Sequence, residues 1–212
     1  MIVPWEGLAA IPDGIDAAEA GPLLCAGVTT FNALRNSGAR PGDLVAIQGI
    51  GGLGHLGVQF AAKFGYQVAA VGRGPENADL AKKLGAHAYI DSKNTDAVAE
   101  LQKLGGAKVI LATAPSTKAM SDLFSGLGRN GTLMAVGAGP GNIEVSPMGL
   151  LMGKRRLQGW ASGTAADSED TMRFAALTGV RPMIEKFPLE KVNEAYERMN
   201  SGHAQFRVVL TM

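Results

Sequence analysis

The sequence predicts an α/β fold built on a doubly wound, parallel, six-stranded sheet. Three observations predict it. Short apolar runs recur at 44–48, 67–71, 88–90, 108–113, 131–136 and 156–160. They are continuous rather than alternating, as in strands buried on both faces. Segments with helical apolar spacing separate them, at 52–64, 76–84, 95–104 and 116–126,. Right-handed crossovers between successive parallel strands then favour helices on both faces of one sheet.

Punctuation supports each element. The turn Arg40-Pro41-Gly42-Asp43 leads into the first strand. Gly85 stops the second helix, and Gly105-Gly106 stops the third,. A helix is expected at 167–177, with Ser168 as its cap and acidic residues in its first turn. A helix at 189–200 and a strand at 206–210 close the chain. The first forty residues, with Pro4, Pro12 and Pro22, do not fit the alternation. They are expected to wrap over another surface. The organisation read from these patterns is a lead-in at 1–38, a main α/β domain at 39–180 and a return segment at 181–212.

Composition is that of a globular chain: 212 residues, 46% hydrophobic and 18% charged,. The formal charge is +1, and the tight basic cluster Lys154-Arg155-Arg156 is too short to imply nucleic acid,. No apolar run reaches the ~18 residues that span a membrane. Met1 to Pro12 lacks the features of a signal peptide. The single cysteine, Cys25, excludes an intrachain disulfide and a multi-cysteine structural zinc site,. A reducing, cytoplasmic setting is expected.

Gly49-Ile50-Gly51-Gly52-Leu53-Gly54 follows the first strand. The spacing Gly-x-Gly-x-x-Gly between a buried strand and an amphipathic helix is the fingerprint of a Rossmann dinucleotide site. Gly49 permits the tight turn, Gly51 lets a pyrophosphate approach the backbone, and Gly54 lets helix and strand pack closely. Gly52 and Leu53 open the helix whose free N–H groups favour the phosphates. In an NAD site a carboxylate at the tip of the second strand binds the ribose hydroxyls. Here that tip reads Gly72-Arg73-Gly74. Gly72 leaves room and Arg73 brings positive charge, which suits a 2′-phosphate. A charge-assisted hydrogen bond of roughly 1.5–3 kcal/mol biases such a site ten- to a hundredfold. NADP is therefore the expected cofactor and NAD the second choice. The missing acid also counts against a methyltransferase; Glu76 is the nearby carboxylate that weakens this argument.

The glycine loop with His55-Leu56-Gly57 resembles the nucleotide-binding half of zinc-dependent alcohol dehydrogenases of the medium-chain dehydrogenase/reductase superfamily. Gly21-Pro22-Leu23-Leu24-Cys25-Ala26-Gly27-Val28-Thr29, Ala78 to Ala86, Asn193-Glu194-Ala195 and Phe206-Arg207-Val208-Val209-Leu210 are similar to further family segments. The resemblance covers essentially the whole chain. It implies that Cys25 descends from a catalytic-zinc ligand and that Thr29 lies beside the nicotinamide. It implies that Thr113 and Ala114 pass the cofactor, that the backbone of Val136, Gly137 and Ala138 bonds the carboxamide, and that Arg207 reaches the pyrophosphate. It also implies a homodimer paired through the sixth strand, a small alcohol or aldehyde as substrate, and no membrane or nucleic-acid partner.

The chain departs from the family pattern. The Gly-His-Glu stretch, the remaining zinc ligands and the structural-zinc cysteines have no counterpart in it. A catalytic zinc takes about three protein ligands, so the zinc site is incomplete. His55, His87 and His203 are not spaced as a site and read as surface or helix-end histidines. Trp160 reads as packing. Two functions follow: the cofactor-binding part of an alcohol dehydrogenase moving hydride to or from NADP, or a non-catalytic dinucleotide-binding module.

Overall fold

The computed structural model describes residues 2–212. A helical run opens the folded part: α1 (Ala17–Pro22), a π-helical turn (Leu23–Gly27) and α2 (Val28–Arg35) follow without a break. Asp16 starts the run by accepting the Ala18 N–H at 2.9 Å, an N-cap that satisfies one of the orphan amides of a helix start.

The sheet consists of β1 (Leu44–Gln48), β2 (Gln67–Gly72), β3 (Ala88–Asp91), β4 (Ala107–Ala112), β5 (Leu127–Ala135) and β6 (Arg156–Gly159). Its order is β3-β2-β1-β4-β5-β6, and all of its pairs are parallel. The crossovers carry α3 (Gly54–Lys63), α4 (Ala78–Lys83), α5 (Ala97–Lys103), α6 (Thr117–Leu123) and α7 (Pro147–Gly153). This is the expected doubly wound, six-stranded Rossmann sheet. The chain reverses its direction of travel between β1 and β4. At such a switch point the loops at the carboxyl ends part and leave a crevice.

Each face of the sheet has its own apolar layer. Val45 and Ile47 of β1 join one, with Phe31, Leu34, Leu56 and Phe60. Leu44 and Ala46 join the other, with Ile110, Met120 and Leu133. The alternation is ordinary strand geometry; the continuous apolar run arises because both faces are covered.

The lead-in segment corrects one expectation. Only its first part is peripheral, with Ile2 and Trp5 exposed. From Ile15 onward it belongs to the core. Leu23, Ala26, Phe31 and Leu34 are buried, and the Phe31 ring lies 5.4 Å from those of Phe60, Phe64 and Phe174. Those rings join α2 to α3 and to α8 (Ala165–Thr178). Its prolines do not keep it out of the core: Pro22 sits inside the helical run, where a π turn follows it.

The cap of α8 is a second correction. Ser168 lies inside the helix, where its hydroxyl bonds back to the Thr164 carbonyl. Thr164 is the cap. Its side chain accepts the Asp167 N–H while the Asp167 carboxylate accepts the Thr164 N–H, a reciprocal capping box,. The Asp167 carboxyl is held down to about 2, first by the Thr164 amide and then by its hydroxyl.

After α8 the chain forms a second, two-stranded parallel sheet from β7 (Ile184–Pro188) and β8 (Arg207–Thr211), joined by α9 (Val192–Asn200). The strand β7 escaped the sequence reading because its residues, Ile-Glu-Lys-Phe-Pro, mix charge and proline. Among the described residues no helix is long and apolar enough to cross a membrane.

Candidate functional site

A cleft of about 720 Å³ opens at the carboxyl ends of β1, β2 and β4, within the usual size range of a small-molecule site. The glycine loop forms its floor. Gly49 turns the chain with φ +90°, and a Cβ there would lie 2.9 Å from Ala114 Cβ. Thr113 pins the loop from β4: its hydroxyl lies 2.9 Å from the Gln48 carbonyl and 3.0 Å from that of Gly49. A Cβ on Gly54 would overlap the Gly49 carbonyl oxygen, so helix and loop touch only because no side chain intervenes. Gly51 differs: a Cβ there would meet nothing within 4 Å. Among the described residues the N–H groups of Gly51, Gly52 and Leu53 have no partner. They stand at the amino end of α3, where unpaired donors and the helix dipole attract an anion.

Two arginines frame the floor. Arg73 follows β2, is exposed and lines the cleft. Arg207 starts β8, and its Nε donates to the Gly52 carbonyl at 3.3 Å. A Cβ on Gly52 would fall 2.8 Å from that nitrogen.

The turn carrying Arg73 is held from β3. The Gly74 amide donates to Asp91 Oδ1 at 2.7 Å, the Tyr89 hydroxyl donates to the Gly74 carbonyl at 2.7 Å, and Ser92 Oγ donates to the Gly72 carbonyl at 2.9 Å. Asp91 also takes the Lys93 amide and the Asn94 side chain. The Asp91 carboxylate is thus committed to the protein itself. Glu76 curls back over Gly74 and is not part of the cleft wall.

Of the predicted site residues, Gly49, Gly51, Gly52, Leu53, Gly72, Arg73, Thr113, Ala114 and Arg207 line one cleft. Gly54 stands directly behind it. Thr29 is buried in α2 and lies outside the wall, as do Val136 and Ala138 beyond β5. Gly137 passes close to the carbonyls of Thr113 and Ala114 without reaching the wall. Cys25 lies exposed in the π turn. Among the described residues no three His, Cys, Asp or Glu side chains gather where a metal would sit.

The structure adds Gln48, Asn77, Ser92 and Phe206 to the wall. Gln48 is 6% exposed, and its Oε1 is buried without a hydrogen-bond partner. An orphaned acceptor in a cleft wall is costly unless a ligand donates to it. Ser92 follows directly on the end of β3, and the rule that ligands gather beyond strand ends was the available signal for it.

His55 is a helix-end histidine, as expected, but not a surface one. It stands in the first turn of α3 but is fully buried. Burial drives its pKa down to about 4, with Arg207 adding to the effect against hydrogen bonding at Gly51.

A doubly wound sheet whose switch point carries this glycine floor is a Rossmann nucleotide-binding domain. The family model described as "Zinc-binding dehydrogenase" matches residues 52–177, and the chain belongs to that family. It corresponds to the cofactor-binding half of medium-chain alcohol dehydrogenases. Alcohol dehydrogenase patD of Penicillium expansum is 50% identical over 212 residues, covering 100% of this chain and 62% of that protein. An alcohol dehydrogenase of Geobacillus stearothermophilus is 39% identical over 210 residues, covering 99% and 62%. A cinnamyl alcohol dehydrogenase structure from Sorghum bicolor superposes with a TM-score of 0.83 at 29% identity, covering 95% of this chain and 57% of that one. The chain therefore spans about 62% of the length of these curated relatives.

Proposed function

We propose that this chain is the cofactor-binding part of an oxidoreductase that moves hydride between NADP(H) and a small alcohol or aldehyde. The observation that carries the reading is the cleft floor: three free loop amides between Arg73 and Arg207. The loop amides and Arg207 would hold the pyrophosphate, Arg73 the 2′-phosphate, and Gln48 a donor group of the nucleotide. When bound, the nicotinamide supplies the hydride carrier. The residues of this chain bind it, orient it and keep the loop closed beneath it. Zinc does not fit the residues present: Cys25 is a single exposed thiol, and among the described residues no companion ligands gather with it. The single cysteine suits a reducing cytoplasm.

Calorimetric titration with NADPH and with NADH tests the reading. The expected result is tenfold or greater preference for NADPH, lost in Arg73→Asp, since the charge-assisted bond contributes roughly 1.5–3 kcal/mol. Tighter NADH binding overturns the NADP assignment, and binding of neither overturns the cofactor site.

The relatives' names support the substrate class. We also propose a homodimer through β6. This strand is a sheet edge with Leu157 exposed, and exposed Met148, Leu151 and Met152 stand on α7, which packs against β5. An open strand edge beside an apolar surface invites pairing. Light scattering at micromolar concentration is expected to give the dimer mass; a monomer mass overturns this part.

A further inference from the structure

His55 is a buried titratable group that the cofactor reading leaves without a role. Both of its ring nitrogens are engaged by backbone. Nδ1 lies 2.9 Å from the Gly51 carbonyl oxygen, and Nε2 lies 3.1 Å from the Met183 amide nitrogen. A backbone carbonyl only accepts and a backbone amide only donates. The ring therefore carries its proton on Nδ1 and a lone pair on Nε2. It is neutral and locked in one tautomer.

The two partners belong to different parts of the chain. Gly51 is in the phosphate loop, and Met183 leads into β7. The Met183 carbonyl in turn accepts the amides of Phe206 at 3.0 Å and Arg207 at 3.2 Å. The Phe206 ring covers the imidazole, with centroids 4.9 Å apart and planes at 30°. Arg207 then returns to the loop by donating to the Gly52 carbonyl. One turn further along α3, Gln59 makes a reciprocal amide pair with the backbone of Arg181, at 2.9 and 3.1 Å. The helix thus holds residues 181–183 by two rungs at i and i+4, which share a helix face. Only the His55 rung reaches both the loop and the strand that carries Arg207.

We propose that His55 is a positioning residue for the dinucleotide: by joining Gly51 to Met183 it fixes Arg207 over the phosphate loop. Its contribution to binding passes through Arg207. The inference rests on the cofactor reading above, and its test separates the two.

The test is a double-mutant cycle on the full chain, read by calorimetry with NADPH and NADH. His55→Asn is expected to weaken the tighter-binding nucleotide about tenfold, the scale of one well-coupled contact. In an Arg207→Gln background the same substitution is expected to change affinity less than twofold. Equal losses in both backgrounds overturn the inference, because a general loosening of the fold would not depend on Arg207. If the wild-type chain binds neither nucleotide, the cofactor reading falls; if it binds and the losses are additive, this inference alone falls. The wild-type ring supplies a readout that needs no variant. Long-range 1H–15N correlation is expected to show His55 with a protonated Nδ1 and an unprotonated Nε2. The opposite tautomer, or fast exchange between the two, overturns the proposal even if His55→Asn fails to fold.

Discussion

Gly54→Ala is expected to destabilise the chain by about 3 kcal/mol, the upper end of the usual cost of overpacking, and to remove nucleotide binding with it. The added methyl would overlap the Gly49 carbonyl oxygen and stand 3.1 Å from Thr113 Oγ1. The first obstacle is backbone, so no side-chain rotation relieves it. Gly49 must move, and it is held by the Val71 carbonyl, which accepts its amide at 2.8 Å, and by Thr113. Displacing Gly49 reopens the contact between β1 and α3 on which the whole floor depends. Gly51→Ala is the matched control. A Cβ there meets nothing within 4 Å, so stability should stay within about 0.5 kcal/mol of wild type, as for an ordinary surface change. Its methyl nevertheless enters the space above the loop amides, and nucleotide affinity should fall. Urea unfolding and calorimetry on both variants check the pair. A wild-type denaturation midpoint for Gly54→Ala would refute the close-packing role; unchanged affinity in Gly51→Ala would place the phosphate elsewhere.

The two glycines also show why so much of the site was legible. A Gly-x-Gly-x-x-Gly loop is a local object: strand end, turn and helix start are adjacent in sequence, and each glycine answers a steric demand that a few neighbours impose. The same holds for the buried strands, whose unbroken apolar runs record coverage on both faces. What stayed hidden depends on partners distant in sequence. Nothing near Gln48 announces an orphaned acceptor, because it stands between Val71 of β2 and Ala112 of β4, both distant in sequence. Phe206 lines the cleft only because β8 begins beside the loop. His55 read as a helix-end histidine, and it is one. Its burial comes from residues 183 and 206, more than a hundred positions away. Local signals misled in two places. Prolines drew the lead-in segment out of the core that its Phe31 anchors. Acidic residues around Ser168 drew the cap four residues past Thr164, whose partner in the box, Asp167, was itself read as the start of the helix.

Acidification from pH 7 to pH 5 is expected to lower stability by about 2 kcal/mol, and His55 is the cause. Burial holds its pKa at about 4, against an ordinary 6.5. Arg207, the charged group that acts on the ring, pushes the same way. The folded chain therefore refuses a proton that the unfolded chain accepts. Above pH 6.5 the imidazole is neutral in both states and stability is full. As pH falls from 6.5 to about 4 the unfolded state gains the proton first, and stability falls by about 1.4 kcal/mol per unit. Below 4 the folded ring is protonated too and the slope ends. The lowered carboxylates act later. Glu185, held down to about 2 chiefly by Arg198, and Asp167 are ionised in both states above about pH 5,. Their contributions are lost only as pH falls from the ordinary carboxylate range toward 2. Protonation also has a structural meaning here, since an imidazolium has no lone pair for the Met183 amide, and the rung to the C-terminal return must break. Urea unfolding at pH 7, 6 and 5 measures the slope. His55→Asn has nothing to titrate at this position and should flatten it, although it starts from a lower stability. An equal slope in the variant would assign the acid sensitivity elsewhere, and a wild-type His55 resonance titrating near 6.5 would mean that the ring is not sealed between loop and return.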